Sequence, residues 1–195
     1  DALGVYAARE ETRHEHLAEL RGLYGFRTFS GRGASELKEW LFREAEMAVS
    51  NEDIARRFVA ECRRTRTVLP ATSTIERLCA AALVDAERRI ETRIASRLPM
   101  SIREQLLALL EETADDRVTR FVWLRQFEPG SNSSSANRLL DRLEYLQRID
   151  LPEDLLAGVP AHRVTRLRRQ GERYYADGMR DLPEDRRLAI LAVCV

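Results

Sequence analysis

Lysine is all but absent from this sequence: Lys38 is the only one, so arginine supplies nearly all of the 32 basic side chains. The 32 acidic side chains cancel them to a net charge of zero. That balance excludes a uniformly basic nucleic-acid coat, an acidic tail and a polybasic membrane anchor, but not confined patches. Histidine is scarce, at three, and no P-loop, dinucleotide-binding glycine pattern, CxxC pair or GxSxG elbow occurs. His14-Glu15-His16 has metal-ligand residue types, yet neighbours one and two apart point to different helix faces, and the four-residue spacing of a zinc helix is missing. The carboxylates fall at helix starts and on solvated faces, so the residues present no enzyme active site. No apolar stretch approaches the roughly 18 residues of a spanning helix. A secretory leader pattern is missing too, so a cytoplasmic protein with no membrane partner is expected. Three cysteines, Cys62, Cys79 and Cys194, lie far apart within apolar helical patterns, which predicts buried reduced thiols rather than a disulfide.

Aromatics make up 7% of the chain, and with nine glycines, six prolines and no Asn-Gly hairpin signal the sequence leans away from strands. The 195 residues have room for one ordinary domain or two small ones. Helical periodicity dominates. Glu10 to Tyr24 carries Leu17, Leu20 and Tyr24 on one face and stops at Gly25, a natural C′ residue. After a loop to Gly33, Glu36 to Val49 repeats the pattern with Ser35 as N-cap, and Ser50 with Asp53 caps a third helix reaching about Arg66. Ser73-Thr74-Ile75-Glu76 reads as a capping box ahead of the longest apolar stripe, Ile75 to Leu98, and Ser101-Ile102-Arg103-Glu104 as a second one. Arg117 to Phe127 is read as helical, although so short a β-branched and aromatic run also suits a strand. Ala136 to Ile149 is amphipathic through Leu139, Leu140, Leu143 and Leu146. Leu151-Pro152-Glu153-Asp154 and Leu182-Pro183-Glu184-Asp185 open further helices, and Pro160 opens one running to about Asp177.

The predicted fold is therefore all-α, with about eight to nine helices. Pro129-Gly130 and the serines after it mark a linker at 128–135 between a helical region, 1–127, and a second helical module, 136–195. The chain starts on Asp1 rather than Met and stops inside the apolar run Leu188 to Val195, which reads as a piece of a longer protein.

Two basic clusters stand out. Arg56, Arg57, Arg63, Arg64 and Arg66 face one acid, Glu61, for a local charge of +4. A helix start with Thr72, Ser73, Thr74 and Arg77 follows. Hydroxyls and backbone N–H groups at a helix N-terminus beside guanidinium groups can hold phosphate. The Arg66 to Ser73 connection is longer than a standard tight turn, so the unit is helix-turn-helix-like at most. The second cluster, Arg163, Arg166, Arg168, Arg169 and Arg173 against Glu172, also amounts to +4. Its Arg163, Arg166, Arg169 and Arg173 fall at steps of three, three and four, on a face opposite Val164, Leu167 and Tyr174. Such stripes can track a phosphate backbone or pair with acids of a neighbouring helix, and arginine richness alone also follows from a GC-rich coding sequence.

Four stretches are similar to the Tn-three family of transposases: YAAREETRHEHLAELRGLYGFRTF at Tyr6 to Phe29, LPATSTIERLCAAA at Leu69 to Ala82, WLRQFEPGSNSSSANRLLDRLEYLQRIDL at Trp123 to Leu151, and HRVTRLRRQG at His162 to Gly171. They span nearly the whole chain in family order. The resemblance implies a helical N-terminal region that binds double-stranded DNA at the terminal inverted repeats of a transposon, with the opening part of that region ahead of Asp1. It implies a metal-dependent acidic triad further along the full-length protein, so Mg²⁺ belongs there and this piece carries no catalytic residue and no cofactor. It raises the weight of Arg63, Arg64, Arg66 and the Thr72 to Arg77 helix start, and leaves room for a homodimer of the full-length protein. A helical scaffold without DNA contact is the alternative.

Overall fold

The computed structural model describes residues 10–111, 118–126, 130 and 132–195. Among them lie ten helices and no strand: α1 (Glu10–Tyr24), α2 (Gly31–Glu44), α3 (Asn51–Arg64), α4 (Thr72–Arg97), α5 (Met100–Ala108), α6 (Arg120–Arg125), α7 (Ser133–Gln147), α8 (Ala161–Arg173), α9 (Ala176–Arg180) and α10 (Glu184–Cys194). The fold is all-α. The chain divides into two compact units, Asp1–Val84 and Asp85–Val195. The division falls inside α4 rather than at 128–135. Residues 128, 129 and 131 of the expected linker lie outside the described residues, and Ser133 to Ser135 form the first turn of α7, capped by the Asn132 side chain accepting from Ser135 N at 2.8 Å.

In unit 1, α2 packs on α3 around Leu37, Leu41, Ala45, Ile54, Phe58 and Cys62, with Cys79 and Ala82 of α4 also buried. Each fully buried Leu, Ile or Phe stabilises the unit by about 1.5–3 kcal/mol. Phe29 packs edge-on against Phe58, ring centroids 6.0 Å apart. α1 ends as predicted at Gly25, whose φ of 66° suits glycine; Phe26 N donates to Arg21 O and Gly25 N to Gly22 O, the paired bonds of a Schellman stop. α2 begins earlier than its pattern predicted. Ser30 is its N-cap and Ser35 lies within it, donating to Gly31 O at 3.4 Å, while the Arg32–Glu36 pair supports the first turn. α3 is capped as predicted: Ser50 Oγ accepts from Asp53 N and Asp53 Oδ2 accepts from Val49 N, both at 3.1 Å. The Leu17, Leu20 and Tyr24 side chains of α1 are exposed.

Unit 2 is built around α10, where Leu188, Ala189, Ile190, Leu191 and Ala192 are all buried, with α8 and α5 packed on it. Gly171 sets the α8–α10 approach: a Cβ there would run into Cys194 Sγ and Ile190 Cγ2. α8 stops at Arg173, and the separate short α9 contains Gly178. Residues 153–158 form turns instead of the helix that Leu151-Pro152-Glu153-Asp154 predicted, because the Arg97 guanidinium of α4 takes up the carbonyls of Asp154, Leu155 and Ala157 at 3.3, 3.0 and 2.7 Å. On α7 Arg142 is buried along with Ser135, while Leu139, Leu140 and Leu143 are 53%, 56% and 47% exposed. Arg142 reaches back to Gln126 O and stacks over Trp123, which meets Tyr145 edge-on. No helix among the described residues is long and apolar enough to cross a membrane.

Candidate nucleic-acid interface

Two of the first five arginines sit on the outer turns of α3, tied to carboxylates of α3 and of the neighbouring α2. Arg56 pairs with Glu52 at 3.1 Å, and Arg57 with both Asp53 and Glu44 at 3.2 Å. The Arg57 hydrogen bond, followed by that from Val49 N, holds the Asp53 carboxyl below its usual range. Arg64 grips Glu61 through two nitrogens at 2.6 and 2.7 Å, which lowers the Glu61 carboxyl in the same way. These three guanidinium groups are already neutralised.

Arg63 and Arg66 differ. Both are exposed, and neither makes an ion pair among the described residues. They stand at the C-terminal end of α3, where Thr67 N donates to Cys62 O and Arg66 N to Arg63 O, a second Schellman stop. Its left-handed position holds Arg66 at φ 48° instead of a glycine. A side chain there costs about 1 kcal/mol relative to glycine. A parallel bridge fastens this stop to the loop after α1: Arg27 N donates to Arg66 O and Val68 N to Arg27 O, both at 2.8 Å. Arg27 also sends a guanidinium N–H to Thr65 O at 3.2 Å. The bridge thus adds Arg27, from the loop after α1, to the basic end of α3.

α4 opens at Thr72, with Ala71 O accepting from Thr74 N and Ile75 N at 2.8 and 3.1 Å. Ser73 is therefore inside the first turn and is not the N-cap that the capping box predicted. The hydroxyls of Thr72, Ser73 and Thr74 make no hydrogen bond among the described residues, and Arg77 is exposed without an ion pair. A helix start of this kind offers N–H and O–H donors and the positive end of the helix dipole.

The α8 cluster is divided by its own geometry. Arg163 shares a four-residue row with Leu167 and Gly171, and all three are buried. It faces inward with Leu167, where the step pattern predicted the opposite side. Only 4% of its side chain is exposed, and its guanidinium meets Glu87 at 3.4 Å. Arg166, half exposed, pairs with the same Glu87 at 2.7 Å, and Arg168 with Glu172 at 3.4 Å. Arg169 and Arg173 are exposed and make no ion pair among the described residues. The cavity enclosed by Glu87, Glu91, Arg163, Arg166 and Gln170 is only about 20 Å³, room for one water. Burial raises the Glu91 carboxyl, with Arg186 at 3.6 Å opposing the rise. This inner part of the second cluster is a packed ionic layer of the fold.

Cys62 and Cys79 are buried reduced thiols as predicted, and burial pushes Cys62 up to about 11, while Cys194 is exposed. No group of His, Cys, Asp or Glu among the described residues is disposed to hold a metal ion.

Residues 1–82 match the model of the domain of unknown function DUF4158, a span that nearly coincides with unit 1. The chain is 31% identical to the transposase for transposon Tn21 of Escherichia coli over 186 residues, 95% of this chain and 19% of that protein. It is 31% identical to the transposase for transposon Tn501 of Pseudomonas aeruginosa over 193 residues, 97% of this chain and 19% of that protein. With the transposase for transposon Tn1546 of Enterococcus faecium the identity is 28% over 198 residues, 98% of this chain and 20% of the relative. The chain therefore spans about a fifth of the length of the relatives it matches.

Proposed function

The chain belongs to the Tn-three family of transposases, and from that membership we propose that unit 1 binds double-stranded DNA at the terminal inverted repeats of a transposon during replicative transposition. The observation that carries this reading is the change in charge pairing along residues 56–77. Arg56, Arg57 and Arg64 are neutralised by Glu52, Asp53, Glu44 and Glu61, whereas Arg63, Arg66 and Arg77 are exposed without such partners among the described residues. Free guanidinium groups bracket the α4 start, where Thr72, Ser73 and Thr74 add hydrogen-bond donors. Arg66 keeps a side chain in a backbone conformation that favours glycine, a local cost that a phosphate contact explains. Phosphate contacts supply affinity and register, and an α4 start lowered into the major groove supplies base discrimination. In unit 2 the exposed pair Arg169 and Arg173 adds a weaker backbone contact, while Arg163 and Arg166 serve the fold. Strand cleavage and transfer, with Mg²⁺, are assigned to the part of the transposase that this chain does not span.

Fluorescence anisotropy with a duplex from the transposon end and a scrambled duplex tests the reading. At moderate salt the end duplex is expected to bind at least about tenfold more tightly, the size of one or two base-pair preferences. Equal and weak affinities would contradict sequence-specific recognition.

A second reading, a helical assembly module of the transposase, draws on the exposed Leu139, Leu140 and Leu143 of α7 and Leu17, Leu20 and Leu23 of α1. Sedimentation of the chain without DNA separates the two: a stable dimer with no affinity for either duplex favours assembly.

A further inference from the structure

A groove of about 240 Å³ opens in unit 1 between α2 and the end of α3, lined by Arg27, Glu36, Trp40, Arg43, Glu61, Arg64 and the Thr65 and Thr67 segment. Its two carboxylates are both engaged. Glu36 is held by Arg32 at 2.9 Å and Glu61 by the fork of Arg64 at 2.6 and 2.7 Å. Its other cations are not neutralised. Arg43 makes no ion pair among the described residues, and Arg27 is held only through Thr65 O. The Trp40 indole N–H, a donor that cannot accept, makes no hydrogen bond among the described residues. The groove therefore has unused N–H donors and no unused carboxylate, which is the chemistry of an anion seat.

The Arg27 side of the seat is also held in place. Arg27 leaves the Schellman stop of α1 and is clamped to the stop of α3 by the two bridge hydrogen bonds and by its own bond to Thr65 O, while Arg43 and Trp40 stand three apart on α2. A donor held before the ligand arrives, as Arg27 is, loses little freedom on binding. We propose that this groove seats one backbone phosphate of bound DNA, held by Arg43 and Arg27 with Trp40 as a further donor. The inference rests on the DNA-binding reading of unit 1 and extends it from the α3–α4 connection to the α2 face, outside both basic clusters of the sequence. The seat fixes the register of the duplex and reads no base.

The test follows the salt dependence of anisotropy binding of the 195-residue chain to the transposon-end duplex, comparing the unaltered protein with Arg43→Ala and Arg43→Lys. Loss of one phosphate contact lowers the slope of log affinity against log salt by about 0.9. Arg43→Ala is expected to show that change with about tenfold weaker binding to end and scrambled duplexes alike, and Arg43→Lys to regain the slope. Phosphate-ethylation interference should show one phosphate whose modification weakens the unaltered protein and not Arg43→Ala. If Arg43→Ala keeps both slope and affinity while Arg63→Glu with Arg66→Glu abolishes binding, the phosphate seat is refuted and the DNA-binding reading stands. A loss confined to the end duplex would instead make Arg43 a base reader and also refute the seat. If the unaltered chain binds neither duplex, both fall.

Discussion

In unit 2 several arginines close helix ends and turns by donating to backbone carbonyls; on α3 of unit 1 the arginines end on carboxylates of α2 and α3 or in solvent. Arg97 closes the 153–158 turns, Arg103 takes the carbonyls of Ala95 and Leu98 at the end of α4, Arg125 those of Glu172 and Tyr174 at the end of α8, and Arg180 that of Leu110. They satisfy acceptors that a helix end or turn leaves open, and Arg103 and Arg125 each span two of them with the guanidinium fork. In unit 1 the corresponding stops are made by the backbone itself, at Gly25 and Arg66, so guanidinium groups are left over. An arginine count therefore says little about nucleic-acid binding. What matters is whether the chain supplies a carbonyl or carboxylate to meet each one.

The contrast can be broken from either side. Gly171→Leu should have the largest effect, because any Cβ at that position meets Cys194 and Ile190 of α10; overpacking of this kind costs about 3 kcal/mol, read as a fall in the denaturant midpoint. Arg163→Met comes next. It removes the guanidinium buried against Glu87, but Arg166 remains as partner, so about 2 kcal/mol is expected, with DNA affinity unchanged once the protein is folded. Arg66→Gly should do the reverse, stabilising by about 1 kcal/mol through relief of the positive φ while weakening DNA binding severalfold.

The smallest effect is the pH response, which has opposite signs in the two units. Burial raises Glu91 above its unfolded value. Its neutral form thus favours the folded state, and stability falls as pH rises from about 4.3 through the raised folded pKa. Glu91→Gln should flatten that limb of a thermal-melt series. Asp53 and Glu61 are lowered by Arg57 and Arg64, so their contribution is complete above the ordinary carboxylate values and is lost as pH falls through the lowered folded values. Amide exchange resolved by segment should show α3 loosening there.

Much of the fold is legible in the sequence because it is written in local signals. Gly25, the Ser50 and Asp53 cap, Pro99, Pro160 and Pro183 each mark a helix boundary within a residue or two. One misreading is a local shift of the helix start, and the others occur where distant groups intervene. Ser73 yields to Ala71 as the cap of α4, Arg97 holds residues 153–158 in turns, and Arg142 occupies the inward side of α7 where a leucine stripe was predicted. The basic clusters were visible as composition, but their division was not. Periodicity places Arg163 on a face, and only the packing of α8 on α10 through Gly171 determines that this face is inside. Arg27 and Arg43 had no sequence signal beyond their charge, since a bridge between two loops and a groove beside α2 bring them together.

The central claim is that unpaired arginines of unit 1, rather than those of α8, carry DNA binding. Two charge-reversal pairs, Arg63→Glu with Arg66→Glu and Arg169→Glu with Arg173→Glu, test it when both folded proteins are titrated against the same transposon-end duplex at the same salt. All four positions are exposed, so helicity should be retained in both. The first pair is predicted to weaken binding by roughly 100-fold and the second by less than about fivefold, through lost phosphate contacts and added repulsion. The opposite order, or equal losses, would contradict the account.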